Sequence, residues 1–282
     1  MKIPCLWYRG SNSSWCHALP KWLMQSSSYE HFTKYADVPS DGAIVVIKAD
    51  EIEMDDLNYD LMRFKWVLLL VCSNEDATWD TSAIERQAHT TKVWLQTPAP
   101  HQRFDRALPW GWAAECVAGY PGSRSLDWFF SGQNTHVRRH ECIAAMENCA
   151  GHGVVVKTQG FSQGLPRSIY LDLLSVTRMA PCPSGPVTVD SFRVCEALEM
   201  GAVPIVDLYS PVRADPLYWE VAFGEWCPLP TIEDWSNLPE LMAEWLDDWE
   251  VRAAKIFAWW ANRRMAWRRH LLSDVEALRA GR

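Results

Sequence analysis

The sequence predicts an α/β protein of two domains, each a parallel sheet flanked by helices, followed by a helical tail. Three observations lead there. Short apolar runs such as WVLLLVC, Trp66 to Cys72, have the length of buried strands and alternate with amphipathic stretches. One turn-rich passage, RALPWGWAAECVAGYPGSRS, interrupts that rhythm, and the same alternation restarts after it. At 282 residues and 48% hydrophobic, the chain can also bury two small cores, which excludes a disordered protein.

In the first half, KIPCLWY reads as a strand and SWCHALPKWLMQ as its helix, with Ser13 or Ser14 as a cap, since a short hydroxyl can accept from the first backbone N–H groups of a helix. GAIVVIKA from Gly42 is the next strand, EMDDLNYDLMR a short helix and KWVLLLVC the third strand. TSAIERQAH makes a helix capped by Thr81 or Ser82, and KVWLQT the fourth strand. The turn-rich passage is the interdomain linker. After it, LDWFFSG is a strand ending in Ser131 and Gly132, NTHVRRHECIAAMEN a helix, GVVVKTQG a strand, LPRSIYLDLLSVT a helix and TRMAPCP a short strand. VDSFRVCEALEMG is a helix that stops at Gly201, because glycine adopts the left-handed conformation of a helix end most easily. AVPIVD is the strand after it, and from Ile232 onward the chain reads as helical. The domains expected are 1–115 and 116–250, with a basic helix over 251–282 packing back on the first. Neither a solenoid repeat nor a low-complexity tract is seen.

Composition excludes several classes. The longest apolar run is far too short to cross a bilayer, and MKIPCLWYRG lacks the apolar segment and small-residue cleavage site of a signal peptide, so a cytoplasmic protein is expected. The nine cysteines include no Cys-x-x-Cys pair, which points to buried free thiols and to no metal site. A net charge of −8 argues against a generic nucleic-acid coat, although eight Lys and Arg against two acids follow from Arg252 to the end. In that tail, Ile256, Trp260, Trp267 and Leu271 fall on one helical face.

The stretch richest in chemistry is a helix start: Asp190, Ser191, Arg193 and Glu196, followed by the small-residue turn at Gly201 and a buried strand. A helix N-terminus presents backbone N–H groups and a partial positive charge, so it suits a diphosphate. Ser191 can add a hydroxyl donor, Arg193 a guanidinium fork, and Glu196 can accept both hydroxyls of a ribose. The plainer reading is a capped helix with Arg193 paired to Glu196 or Glu199 on a solvated face.

VDSFRVCEALEMGAVPIV resembles the donor-domain helix and turn of the exostosin-like glycosyltransferases, and FFSGQNTHVRRH is similar to the strand, small-residue turn and Arg-bearing helix that open the same domain. The resemblance spans Asp127 to Val206. It implies a GT-B-like fold of two facing Rossmann-like domains, a nucleotide-sugar donor bound by the second, an acceptor by the first, and no catalytic metal. By that resemblance Ser191 and Arg193 contact the diphosphate, Glu196 the ribose, and Ser131, Gly132 and Arg138 or Arg139 the phosphate side, with Asp190 at the helix start. The expected activity is transfer of a hexose or pentose from a UDP-sugar to a hydroxyl acceptor, with the nucleotide-sugar as co-substrate and no separate cofactor.

An inverting enzyme needs a base for the acceptor hydroxyl. In doubly wound domains such groups follow the carboxyl ends of strands, which leaves three loops: Gly10 to His17, Asp50 with Glu51, and SNEDATW. Glu75, then Asp76, is preferred, because that segment leaves the most apolar strand directly. Trp110 and Trp112 could wall a sugar cleft, or pack the linker. The alternative acceptor is a hydroxymethylated DNA base, reached through the basic aromatic tail. A non-catalytic nucleotide-binding module and a nucleotide-sugar epimerase are the remaining alternatives.

Overall fold

The computed structural model describes residues 2–9, 15–49, 52–77, 79–80, 84, 91–113, 123–160 and 163–281. It divides into two compact units, Met1–Ala113 with Arg263–Arg282, and Ala114–Asn262. Among the described residues no helix is long and apolar enough to cross a membrane.

The first unit is built on the described strands β1 (Ile3–Trp7), β2 (Tyr29–Phe32), β3 (Ala43–Lys48), β4 (Val67–Cys72), β5 (Thr91–Gln96) and β6 (Arg106–Leu108). All are parallel, in the order β2-β1-β3-β4-β5-β6. Strands β3 and β4 pair from Ala43 with Val67 to Lys48 with Cys72, and both are buried on their two faces, as their unbroken apolar runs require. Val45, Ile47, Leu69, Val71, Val93 and Leu95 form one core with Leu57 of helix α2 (Met54–Leu61). Burying each such side chain contributes about 1.5–3 kcal/mol.

Two strands of this unit went unanticipated. Strand β2 is an edge strand whose Glu30 and His31 are exposed, so it has no apolar run to betray it, and β6 occupies the start of the passage expected to be the linker. The first helix is also shorter than expected: a 3-10 turn over Trp15–His17 leads into α1 (Ala18–Leu23), with Pro20 in its first turn, where a missing N–H costs little. Ser13, Ser14, Thr81, Ser82 and nearly all of the helix TSAIERQAH lie outside the described residues, as do 114–122 of the expected linker.

The second unit holds β7 (Leu126–Gln133), α3 (Val137–Met146), β8 (Gly153–Thr158), α4 (Arg167–Ser175), β9 (Thr177–Cys182), α5 (Phe192–Met200), β10 (Val203–Asp207), α6 (Tyr218–Phe223), β11 (Thr231–Ile232) and α7 (Leu238–Asp247). Its described strands are again all parallel, in the order β11-β10-β9-β7-β8. Counted from its own first strand this is the winding order with which the first sheet begins. Helix α5 ends at Gly201 with φ +72°, the left-handed stop expected there. Arg124 ties this unit together by donating to the carbonyls of Leu174, Ser175 and Met200 at the ends of α4 and α5.

Helix α8 (Trp249–Arg279) contributes to both units. Ala253, Ile256 and Trp260 are buried within the second, Trp267, Leu271, Val275 and Leu278 within the first. In the first unit the buried Asp274 accepts from Lys92 Nζ at 2.6 Å, Arg106 Nε at 2.8 Å and Trp94 Nε1 at 3.0 Å. Burial alone would raise its carboxyl, but these donors outweigh burial and hold it below the usual carboxylate range. Arg268, one of the basic tail residues, donates to the Trp22 carbonyl and lies 3.7 Å from its ring centroid, a packing duty.

Candidate functional site

In a doubly wound sheet, ligands bind beyond the carboxyl ends of the strands where the winding reverses. In the second unit the chain runs from β7 outward to β8 and back to β9, so the reversal lies between β7 and β9. The residues that follow these two strands are the start of α3 and the segment 183–191 with the start of α5. Ser131, Gly132, Ser191 and Arg193 are therefore brought together by topology.

Arg193 is the hinge of this arrangement. Its Nε donates to the Ser131 carbonyl at 2.9 Å, and its guanidinium lies 5.1 Å from the Phe130 ring centroid. The guanidinium passes so close to β7 that a Cβ on residue 132 would come within 2.0 Å of Nη2, so glycine is what lets the arginine lie there. No described group takes a hydrogen bond from its two terminal nitrogens.

The polar groups around it are short of partners. Ser191 is the N-cap of α5 but makes no side-chain cap bond, and its Oγ is buried without a hydrogen bond. Ser184, fully buried in the segment after β9, has an Oγ in the same condition. His136, the N-cap of α3, makes no side-chain cap bond either, and both its ring nitrogens are buried without one. Burial, then the nearby Arg139, His140 and Arg193 charges, push its pKa down to about 4 against a smaller opposing pull from the Ser184 backbone, so the ring is neutral at ordinary pH. Arg139 is itself buried, its Nε 3.4 Å from the Ser184 carbonyl and its Nη1 3.3 Å from Thr135 Oγ1. Buried polar groups are seldom left unpaired, since each costs about 1–3 kcal/mol. Here three such groups stand at the N-termini of α3 and α5 and in the segment after β9.

Compared with protein-family models and with curated protein sequences, the chain gives no match.

The other expected residues are placed differently. Asp190 is fully buried, accepting from Ser191 N and from Tyr218 Oη, both at 2.7 Å. It supports the start of α5 from beneath. Glu196, buried further along the helix, accepts from Arg167 at 2.6 Å and Tyr170 at 2.9 Å, so its ion-pair partner is a residue of α4 rather than Arg193. Arg138 is held by the fully buried Asp207 at the end of β10, with further bonds to Glu141 and to the Glu233 carbonyl. Its neighbour Arg139 faces Ser184 instead. His136 and Ser184 were not anticipated. His136 stands in a polar stretch and Ser184 among prolines and a glycine, and only their missing partners single them out. His136 and His140 have the four-residue spacing of a helical metal pair, but no cluster of three or more His, Cys, Asp or Glu able to hold a metal occurs among the described residues.

In the first unit, Glu75 and Asp76 occupy a tight turn directly after β4, closed by Ala77 N donating to the Asn74 carbonyl at 3.1 Å. Buried amides brace that turn: Asn74 donates to Gln102 Oε1 at 2.8 Å, and Ser73 N donates to Gln96 Oε1 at 3.1 Å. Ser73, Ala77 and Thr97 all have positive φ, a local backbone cost that accumulates at this edge of the sheet. Glu75 is half-buried and Asp76 exposed. His17 is buried against Trp7, and Trp110 and Trp112 are buried too, each about 3% exposed, which makes them packing residues. Gly10 to Ser14, Asp50 and Glu51 lie outside the described residues.

Proposed function

We propose that this chain is a glycosyltransferase of GT-B type whose second unit binds a nucleotide-sugar, a UDP-sugar first among them, and whose sugar, a hexose or pentose, passes to a hydroxyl acceptor. One observation supports the reading above all others: two buried, unpaired serine hydroxyls and two arginines stand on the segments that follow β7 and β9, at the reversal of strand order. A diphosphate would meet the helix amides, Ser191, Ser184 and the Arg193 fork. Arg139 would add charge from the α3 side, a role its neighbour Arg138 cannot share while it is committed to Asp207. Glu196 would meet a ribose only alongside its Arg167 and Tyr170 partners. Glu75 is the proposed base toward the acceptor. A hydroxymethylated DNA base remains the alternative acceptor, distinguished by strong salt dependence of DNA binding.

Thermal unfolding with chelator present tests the donor site. UDP or a UDP-sugar at about a hundredfold its Kd should raise Tm by roughly 5 °C, without added metal. A protein stabilised by magnesium or manganese alone, and by no nucleotide, would count against the assignment.

Gly132→Ala tests it without touching the ligand. The added methyl would lie 2.0 Å from Arg193 Nη2, the far end of a long side chain, and 3.1 Å from Phe130 Cζ, so the protein should fold with a small shift of that ring while its arginine is pushed aside. Loss of one charge-assisted hydrogen bond predicts nucleotide-sugar affinity about 10- to 100-fold weaker by calorimetry. Unchanged affinity would remove Arg193 from the site.

A further inference from the structure

We infer that His136 is a ligand-contacting residue of this site, taking up a proton as the diphosphate binds and donating a hydrogen bond to a phosphate oxygen. The inference rests on the nucleotide-sugar reading and deepens it, because that reading assigns His136 nothing.

The geometry leads there. His136 sits at the N-terminus of α3, where its backbone carbonyl accepts from Arg139 N at 3.0 Å and His140 N at 3.1 Å, while its side chain takes no part in capping. Both imidazole nitrogens are buried and without a hydrogen bond. A neutral imidazole always carries one N–H and one bare nitrogen, and beyond the pull of the Ser184 backbone, which falls short of hydrogen-bond geometry, neither has a partner. The groups that face the ring are Arg139 and His140 from α3, Arg193 from α5, and the Ser184 backbone from the segment after β9. This ring is held neutral, at about 4, by burial and by its cationic neighbours.

A diphosphate counters the cationic neighbours and outweighs the burial with charge and hydrogen bonds. Its negative charge offsets Arg139 and Arg193, and its oxygens offer the acceptors that both N–H groups of an imidazolium need. The histidine that is neutral in the empty site therefore becomes charged in the filled one. The sign follows by linkage: the complex binds one more proton than the free protein, so affinity falls as pH rises from about 4 to the raised value in the complex, by up to tenfold per pH unit. His140, four residues on, does not substitute for it, since its Nε2 lies 3.2 Å from the Asn134 carbonyl.

Calorimetric titration with UDP-glucose is the test, because its phosphodiester charges do not change over the range used. Run at about pH 6 in two buffers of different ionisation enthalpy, the wild-type protein should take up about 0.5–1 proton per ligand bound. His136→Asn and His136→Gln keep a hydrogen-bonding side chain without a titrating one. Whichever folds should take up close to none, and its affinity should vary less between about pH 5 and about pH 7. Equal uptake in wild type and variant, or none in either with binding intact, overturns the role of His136 and leaves the diphosphate site standing. No binding by the folded wild type of UDP-glucose, GDP-mannose or ADP-glucose overturns the site itself, and His136 with it.

Discussion

Asp207→Ala is expected to destabilise the second unit by about 3–5 kcal/mol, the range found when one member of a buried ion pair is removed. Its carboxylate is fully buried and accepts from Arg138, from the backbone N–H groups of Ser184 and Tyr209 at 3.3 and 3.1 Å, and from Trp235 Nε1 at 3.0 Å. Alanine leaves two backbone donors and an indole unpaired and strands a guanidinium that is 12% exposed. Asp207→Asn keeps an acceptor and should recover part of the loss. Urea unfolding followed by tryptophan fluorescence reads both. A loss below about 1 kcal/mol for alanine would mean that water reaches the carboxylate and that the hub is not buried as described. Because Ser184 is tethered through this carboxylate, a severe loss would also loosen the proposed anion site.

Glu75→Gln carries the other large effect, on turnover. A positioned general base contributes about 100- to 10,000-fold, so the amide should lower sugar transfer by that factor and leave nucleotide-sugar affinity nearly unchanged. Binding and chemistry should separate because Glu75 belongs to the first unit and the proposed anion site to the second. A loss below about tenfold with the fold intact would make Glu75 a turn residue, and Asp76, then Asp50 and His17, the next to replace. If none of the four mattered in an enzyme that transfers sugar, the mechanism would retain configuration and need no such base.

How much of this was legible depends on burial. Strands β3 and β4 were plain because a parallel strand covered on both faces must be apolar throughout. Strands β2 and β11 were not, since an edge strand of four residues with Glu30 and His31 exposed, or one of two residues, has no period to detect. At the site, Ser191 and Arg193 stood out as a helix start, and Gly132 as a small residue at a strand end. What distinguishes Arg138 from Arg139 is roughly 100° of rotation about a helix, which no pair of adjacent arginines discloses in sequence. Asp190 looked like a ligand for the same reason: its partner Tyr218 is 28 residues away. The unpaired state of Ser184 and His136 is a property of the packed chain alone.

The first unit is discontinuous, and that sets an order of events during synthesis. Its described strands are all translated by Ala113, yet Arg263–Arg282 belongs to it and supplies Asp274, the acceptor for Lys92, Trp94 and Arg106. The second unit is one continuous stretch, Ala114–Asn262, and has all its parts while that acceptor is still unmade. At roughly 5–20 residues per second, the ribosome leaves the nascent sheet without its closing helix for on the order of 10 s. The unit born first is thus completed last, and a chain released before Asp274 would bring both arms of that cation cluster into the cell with no carboxylate between them.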